Sequence, residues 1–123
     1  MSIVKSYTDL PQSQRLAKIL NHESADMWYR EECGLIIPEL GIILRSHTNT
    51  EFPCWSLAAL IKVLPRSVEY KGDTYYLGLL KDYVEYANNK ISLTGIFLHT
   101  TGNDNLVDAC VEMIEKLHEQ KLL

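Results

Sequence analysis

Seven cysteine and histidine side chains are the first candidates for nucleophilic attack, proton transfer or metal ligation: Cys33, Cys54 and Cys110, with His22, His47, His99 and His118. Their spacing sets none of those reactions up. There is no C-x-x-C, so a zinc ribbon or a thioredoxin-type redox pair is absent. His22-Glu23 comes nearest to an H-E-x-x-H metal helix, but position 26 is Asp26 and no second histidine follows one turn on. The sequence has no G-x-x-x-x-G-K-[ST] or G-x-G-x-x-G phosphate cradle, no EF-hand loop and no G-x-S-x-G nucleophile elbow. An odd number of cysteines with wide spacing is no disulfide framework; small buried thiols in a reducing cytosol are the expectation. No cofactor, metal set or catalytic residue is assigned.

Some residues keep a sharper reading beside a structural one. His99 ends a β-rich run and could serve as a general base; a half-exposed strand-end residue is the plainer role. Asp26 pairs with Arg30 or a distant charge at the surface. Asp104 and Asp108 look like paired carboxylates, but beside a helix start they serve as cap and dipole partner. An enzyme with a non-standard site would draw on His99, Asp26 or Cys54. The tyrosines say more: Tyr70, Tyr75, Tyr76, Tyr83 and Tyr86 crowd one segment. Such rings form cross-strand pairs, line an interface, or stack on bases. Base stacking wants interleaved Lys and Arg, whereas the neighbours are Glu69, Asp73, Asp82 and Glu85.

These residues need elements to position them. A first helix is expected over 8–21, capped by Asp9 or Ser13, with Leu16, Ile19 and Leu20 on one face. A short strand follows over 25–30. Leu35–Ile37 and Leu40–Arg45 are β-rich runs separated by Pro38, which marks an edge, a bulge or a bend. Ser46–Thr50 is a polar loop. Ser56 caps a second helix, with Trp55 stapled onto Leu60 and a Leu57, Leu60, Ile61, Leu64 stripe that Pro65 stops. With Lys62 as its one charge, most of that helix is expected to be buried.

Residues 67–99 read as a meander. Lys71-Gly72-Asp73 and Asn88-Asn89-Lys90 supply turns, Tyr75, Leu77 and Leu79 share a face, and Val84 lies with Tyr86. The last strand, 91–99, places Ile91, Leu93 and Phe97 opposite Ile96 and Leu98, and Gly95 suggests a bulge or a close backbone contact. The final helix is the clearest element: Leu106, Ala109, Cys110, Met113, Ile114 and Leu117 form an unbroken stripe, and Glu112 with Lys116 makes an i, i+4 pair on the wet side.

Three segments carry a resemblance. Ser24-Ala25-Asp26-Met27, Pro53-Cys54-Trp55-Ser56-Leu57-Ala58-Ala59-Leu60, and Asp104 to Met113 followed by Lys116-Leu117-His118-Glu119 resemble a family of small proteins from phages and prophages of Bacteroides-type gut bacteria. The resemblance spans most of the chain. At position 106 the pattern calls for Pro and this chain has Leu106, a departure at a helix cap. The family has no known activity, so the resemblance implies a phage-related accessory protein and carries over no catalytic residue. A shorter likeness joins the strands, Gly102-Asn103-Asp104 and the last helix to HicB-type antitoxins; it is a fold analogy.

Composition bounds the rest. The 123 residues suit a single domain, 1–123, and 46% apolar with 23% charged residues excludes collagen-like, mucin-like and wholly disordered chains. A net charge of -4 opposes a non-specific grip on nucleic acid. No signal-peptide run follows Met1-Ser2-Ile3-Val4-Lys5 and no membrane span is present, so the chain is expected to be cytoplasmic. The fold expected is α+β: a mostly antiparallel sheet packed on one face by two helices, plus an N-terminal helix. The function expected is non-enzymatic protein binding or assembly, with another protein or with a second copy in a homodimer. The alternatives are an antitoxin-like or nucleic-acid-associated regulator, and an enzyme with a non-standard site.

Overall fold

The computed structural model describes residues 5–32, 35–40, 52–88 and 95–123. Cys33, His47, the β-rich run beyond Leu40, most of the Asn88-Asn89-Lys90 turn, Ile91 and Leu93 lie outside them. The architecture is α+β, with an N-terminal helix and antiparallel strands. The strands divide between two sheets, a partition that local pattern does not announce.

The first sheet has the order β2-β1-β3, from β1 (Met27–Glu32), β2 (Leu35–Leu40) and β3 (Phe52–Cys54). β2 runs straight through Pro38, which pairs with Tyr29, and it forms an edge, where a residue without an N–H costs least. The three residues of β3 escape sequence reading because they are too short to show alternation. On the far side of β3, Thr8 N–H donates to Trp55 O (2.9 Å), Leu57 N–H donates to Ser6 O (2.9 Å), and Tyr7 bridges Ser56.

The second sheet has the order β4-β5-β6-β7, from β4 (Ser67–Tyr70), β5 (Asp73–Leu80), β6 (Tyr83–Ala87) and β7 (Ile96–His99). Lys71 (φ 51°) and Gly72 (φ 84°) both take left-handed conformations between β4 and β5, as a type I′ hairpin turn requires. Of the two alternatives that Gly95 raised, a bulge is present, two positions further on: Tyr86 pairs with Leu98 and Ala87 with Ile96, leaving Phe97 as the extra residue. Phe97 and Leu98 therefore both pack against the core while Ile96 stays out, where simple alternation had set Phe97 against Leu98.

Helix α1 (Leu10–Leu16) is shorter than expected. Asp9 caps it through a reciprocal box with Gln12, and beyond Leu16 the chain tightens: Lys18 and Ile19 N–H donate three residues back, to Arg15 O and Leu16 O. Helix α2 (Leu57–Val63) starts at Ser56, whose side chain accepts from Ala59 N–H, and ends ahead of Pro65. Only Ala59 and Leu60 are buried within it, so more of its circumference is wet than its low charge implied.

Helix α3 (Leu106–Glu119) is capped by Asn105. It buries Val107 and Val111 as well as the expected stripe from Ala109 to Leu117, while Leu106 is half-buried. The reason is its central position: β6 and β7 lie against one side and α1 and α2 against others. Val68, Val84 and Tyr86 from the second sheet, Leu60 and Leu64 from the α2 end, and the α3 stripe form one core. No helix among the described residues is long and apolar enough to cross a membrane.

Candidate functional site

Residues with reactive side chains are distributed across both sheets, each held by local structure. Asp26, just before β1, accepts the Ser56 N–H at 2.9 Å through Oδ1 and the Ser56 hydroxyl through Oδ2. Ser56 Oγ meanwhile accepts from Ala59 N–H at 3.2 Å. Asp26 therefore orients the cap of α2; the Arg30 side chain lies outside the described residues.

Cys54 is fully buried in β3. Its thiol donates to Thr8 O (3.4 Å), and Thr8 Oγ1 approaches its sulfur at 3.6 Å. Burial pushes the thiol pKa up, against bonds from Thr8, Ser13 and Tyr29 that favour the thiolate. The neutral thiol is a poor nucleophile. Thr8 is the hub here, because it also takes the Trp55 N–H (3.1 Å) on Oγ1 and the Tyr29 hydroxyl (2.6 Å) on its carbonyl. Cys110, buried in α3, is held by desolvation at about 12.

His99 sits on the other sheet, exposed at the end of β7, with its ring 6.2 Å from that of Tyr83. Its carbonyl accepts from Lys116 Nζ at 2.7 Å. Lys116 also pairs with Glu112 at 3.1 Å, as the i, i+4 spacing implied. The fold thus gives His99, Asp26 and Cys54 three separate tasks. Among the described residues, no three His, Cys, Asp or Glu side chains gather as a metal set.

Asp104 and Asp108 also part company. Asp104 is exposed, whereas Asp108 accepts from Lys5 Nζ (2.8 Å), Gln12 Nε2 (2.8 Å) and Asn105 Nδ2 (2.9 Å). Burial works against the Asp108 charge, but Lys5, Gln12 and Asn105 outweigh it and hold its pKa below the usual carboxylate value.

The remaining feature is a surface. Pairing register places Val68, Tyr75, Leu77, Val84 and Tyr86 on the inner face of the second sheet, toward α3. The outer face then carries Tyr76, Leu80, Tyr83, Ala87, Ile96 and His99. Three of these are large and open: Tyr76 is 60% exposed, Leu80 61% and Ile96 45%. The charged residues at the ladder positions of this face are Glu69 and Glu85, both acidic. Glu85 occupies the middle, paired with Gly78 on β5 and His99 on β7. The tyrosine-rich segment is thus split by the sheet: Tyr86 is buried, Tyr75 half-buried, and Tyr76 open to solvent.

Comparison with protein-family models, curated proteins and solved structures found no match. The outer sheet face is accordingly weighed on its own chemistry. Exposed aromatic and aliphatic side chains clustered on a rigid sheet suit contact with another macromolecule. Acidic groups among them oppose a phosphate backbone, which needs Lys and Arg.

Proposed function

We propose that this chain is a non-enzymatic protein-binding or assembly module, an accessory protein of the phage kind that its sequence resembles, and that it binds through the outer face of the second sheet. The observation that carries the reading is the exposure of Tyr76, Leu80 and Ile96 on the side of the sheet away from α3. Large apolar groups clustered in this way are costly in water and gain free energy when a partner covers them. Tyrosine adds a polar tip to an apolar ring, which suits it to protein interfaces. A reducing cytoplasmic setting fits the free thiols of Cys54 and Cys110.

The test compares the native chain with a Tyr76→Ser, Leu80→Ser, Ile96→Ser variant. Both are first checked for the same urea unfolding midpoint, then used to capture proteins from a bacterial host lysate with and without phage infection. A specific protein held by the native chain and lost with the variant is the expected result. Identical capture by the two chains, or turnover of a small molecule abolished by one polar substitution, overturns the reading.

A further inference from the structure

Glu85 stands out on the outer face by its setting. Its strand neighbours on that face are Tyr83 and Ala87, and its cross-strand neighbours are Gly78 and His99. It is only half-exposed, and among the described residues its carboxylate accepts no hydrogen bond and makes no ion pair. The side chain lies against the sheet, because a Cβ at position 78 would come within 3.1 Å of Glu85 Cγ and 3.6 Å of Cδ. Glycine at 78 therefore leaves the space that the glutamate fills, and Tyr76 and Leu80 flank that space along β5. Partly covered by the sheet beside Tyr83, Ala87 and Gly78, and with no ion pair among the described residues, this carboxylate can accept from an incoming cationic donor.

We propose, resting on the protein-binding reading above, that the partner is a different polypeptide presenting an arginine or lysine side chain within an apolar stretch. Glu85 accepts that cation while Tyr76, Leu80 and Ile96 take the flanking apolar groups. Charge complementarity selects this occupant over a second copy of the chain. A two-fold interface brings the same patch to itself, so Glu69 and Glu85 would meet an acidic face offering no Lys or Arg at its ladder positions. The chain as a whole carries -4, which adds to the repulsion. Nucleic acid fails on the same ground, since its phosphates repeat the negative charge.

The experiment selects short random peptides displayed on yeast against the intact chain at pH 8. Winners are remade synthetically, with arginine replaced by citrulline or lysine by norleucine. The expected result is enrichment of peptides carrying Arg or Lys beside apolar residues. Their binding should weaken about tenfold or more on either charge removal, in the peptide or through Glu85→Gln. Peptides that need Tyr76 and Leu80 but carry no cation, and bind Glu85→Gln as tightly, overturn this inference and leave the binding reading standing. If no selected peptide depends on Tyr76 or Leu80, both fall. Sedimentation showing a dimer that Tyr76→Ser and Leu80→Ser dissociate also overturns it, because the face then serves a second copy.

Discussion

Tyr70 and Phe97 belong to opposite edge strands of one four-stranded sheet, β4 and β7, yet their rings stack with centroids 4.5 Å apart. Neighbouring strands lie about 4.8 Å apart, so three such steps would keep the edges of a flat sheet well beyond ring contact. The sheet is curled, its inner face closing around Tyr75, whose ring lies 4.9 Å from that of Phe97. The bulge at Phe97 supplies the extra bend. The same curl turns Tyr76, Leu80 and Ile96 outward on the convex side.

Removing either ring should loosen the curl. Phe97→Ala is expected to cost about 2 kcal/mol, less than a fully buried phenylalanine, and Tyr70→Ala about 1 kcal/mol. A double-mutant cycle by urea unfolding should return a coupling of about 0.5–1.5 kcal/mol. Additive losses would mean that the rings do not support one another.

Lys5 and Asp108 lie 103 positions apart and meet at 2.8 Å. Lys5 Nζ also donates to Asp9 Oδ2 and to Gln12 Oε1, both at 2.9 Å, so one ammonium ties the cap of α1 to the first turn of α3. Burial disfavours its charge, but Asp108 and Asp9 overcome this and raise its pKa. The signs of the two linkages are opposite. Asp108, with a depressed folded pKa, contributes stability that is present above the unfolded carboxylate value, about 4, and is lost as pH falls through the folded one. Lys5, with a raised pKa, contributes stability that is present below about 10.4 and lost as pH rises past its folded value. Asp108→Asn should cost about 1–2 kcal/mol at neutral pH and flatten the acid limb of a stability profile. Lys5→Met should flatten the alkaline limb. Profiles that keep both limbs in both variants would assign the dependence to other groups, with Glu112 the candidate for the acid limb. Burial opposes the Glu112 charge too, while Asn103, Lys116 and the Thr101 N–H lower its pKa.

Cys54 and Cys110 should resist alkylation in the folded chain, since both are buried with thiol pKa values pushed up. With iodoacetamide at pH 8, mass spectrometry should find both unmodified without urea and modified once unfolding is complete. Rapid labelling of Cys54 under native conditions would revive the thiol as a reactive group.

Much of this arrangement was legible in the residues. Ser56 and Pro65 bound α2, the Leu106-to-Leu117 stripe specified α3, Lys71-Gly72-Asp73 marked a turn, and Gly95 pointed to a bulge or a close backbone contact near the start of β7. Each rests on local physics: a capping hydroxyl, a missing N–H, a repeat near 3.6, a permitted positive φ. The candidate site was legible only as a crowd of tyrosines with acidic neighbours.

Tertiary structure alone decided which of those rings are dry. In Thr74-Tyr75-Tyr76-Leu77-Gly78-Leu79-Leu80, alternation separates two faces but loads both with tyrosine and leucine. Neither face declares itself the core until α3 settles on one of them. The pairing of β1 with β3, the Asp26 bonds to Ser56 and the Lys5–Asp108 contact likewise join positions far apart in the chain. Local propensity and periodicity extend over a few residues; which distant surfaces meet is set by burial of the whole core.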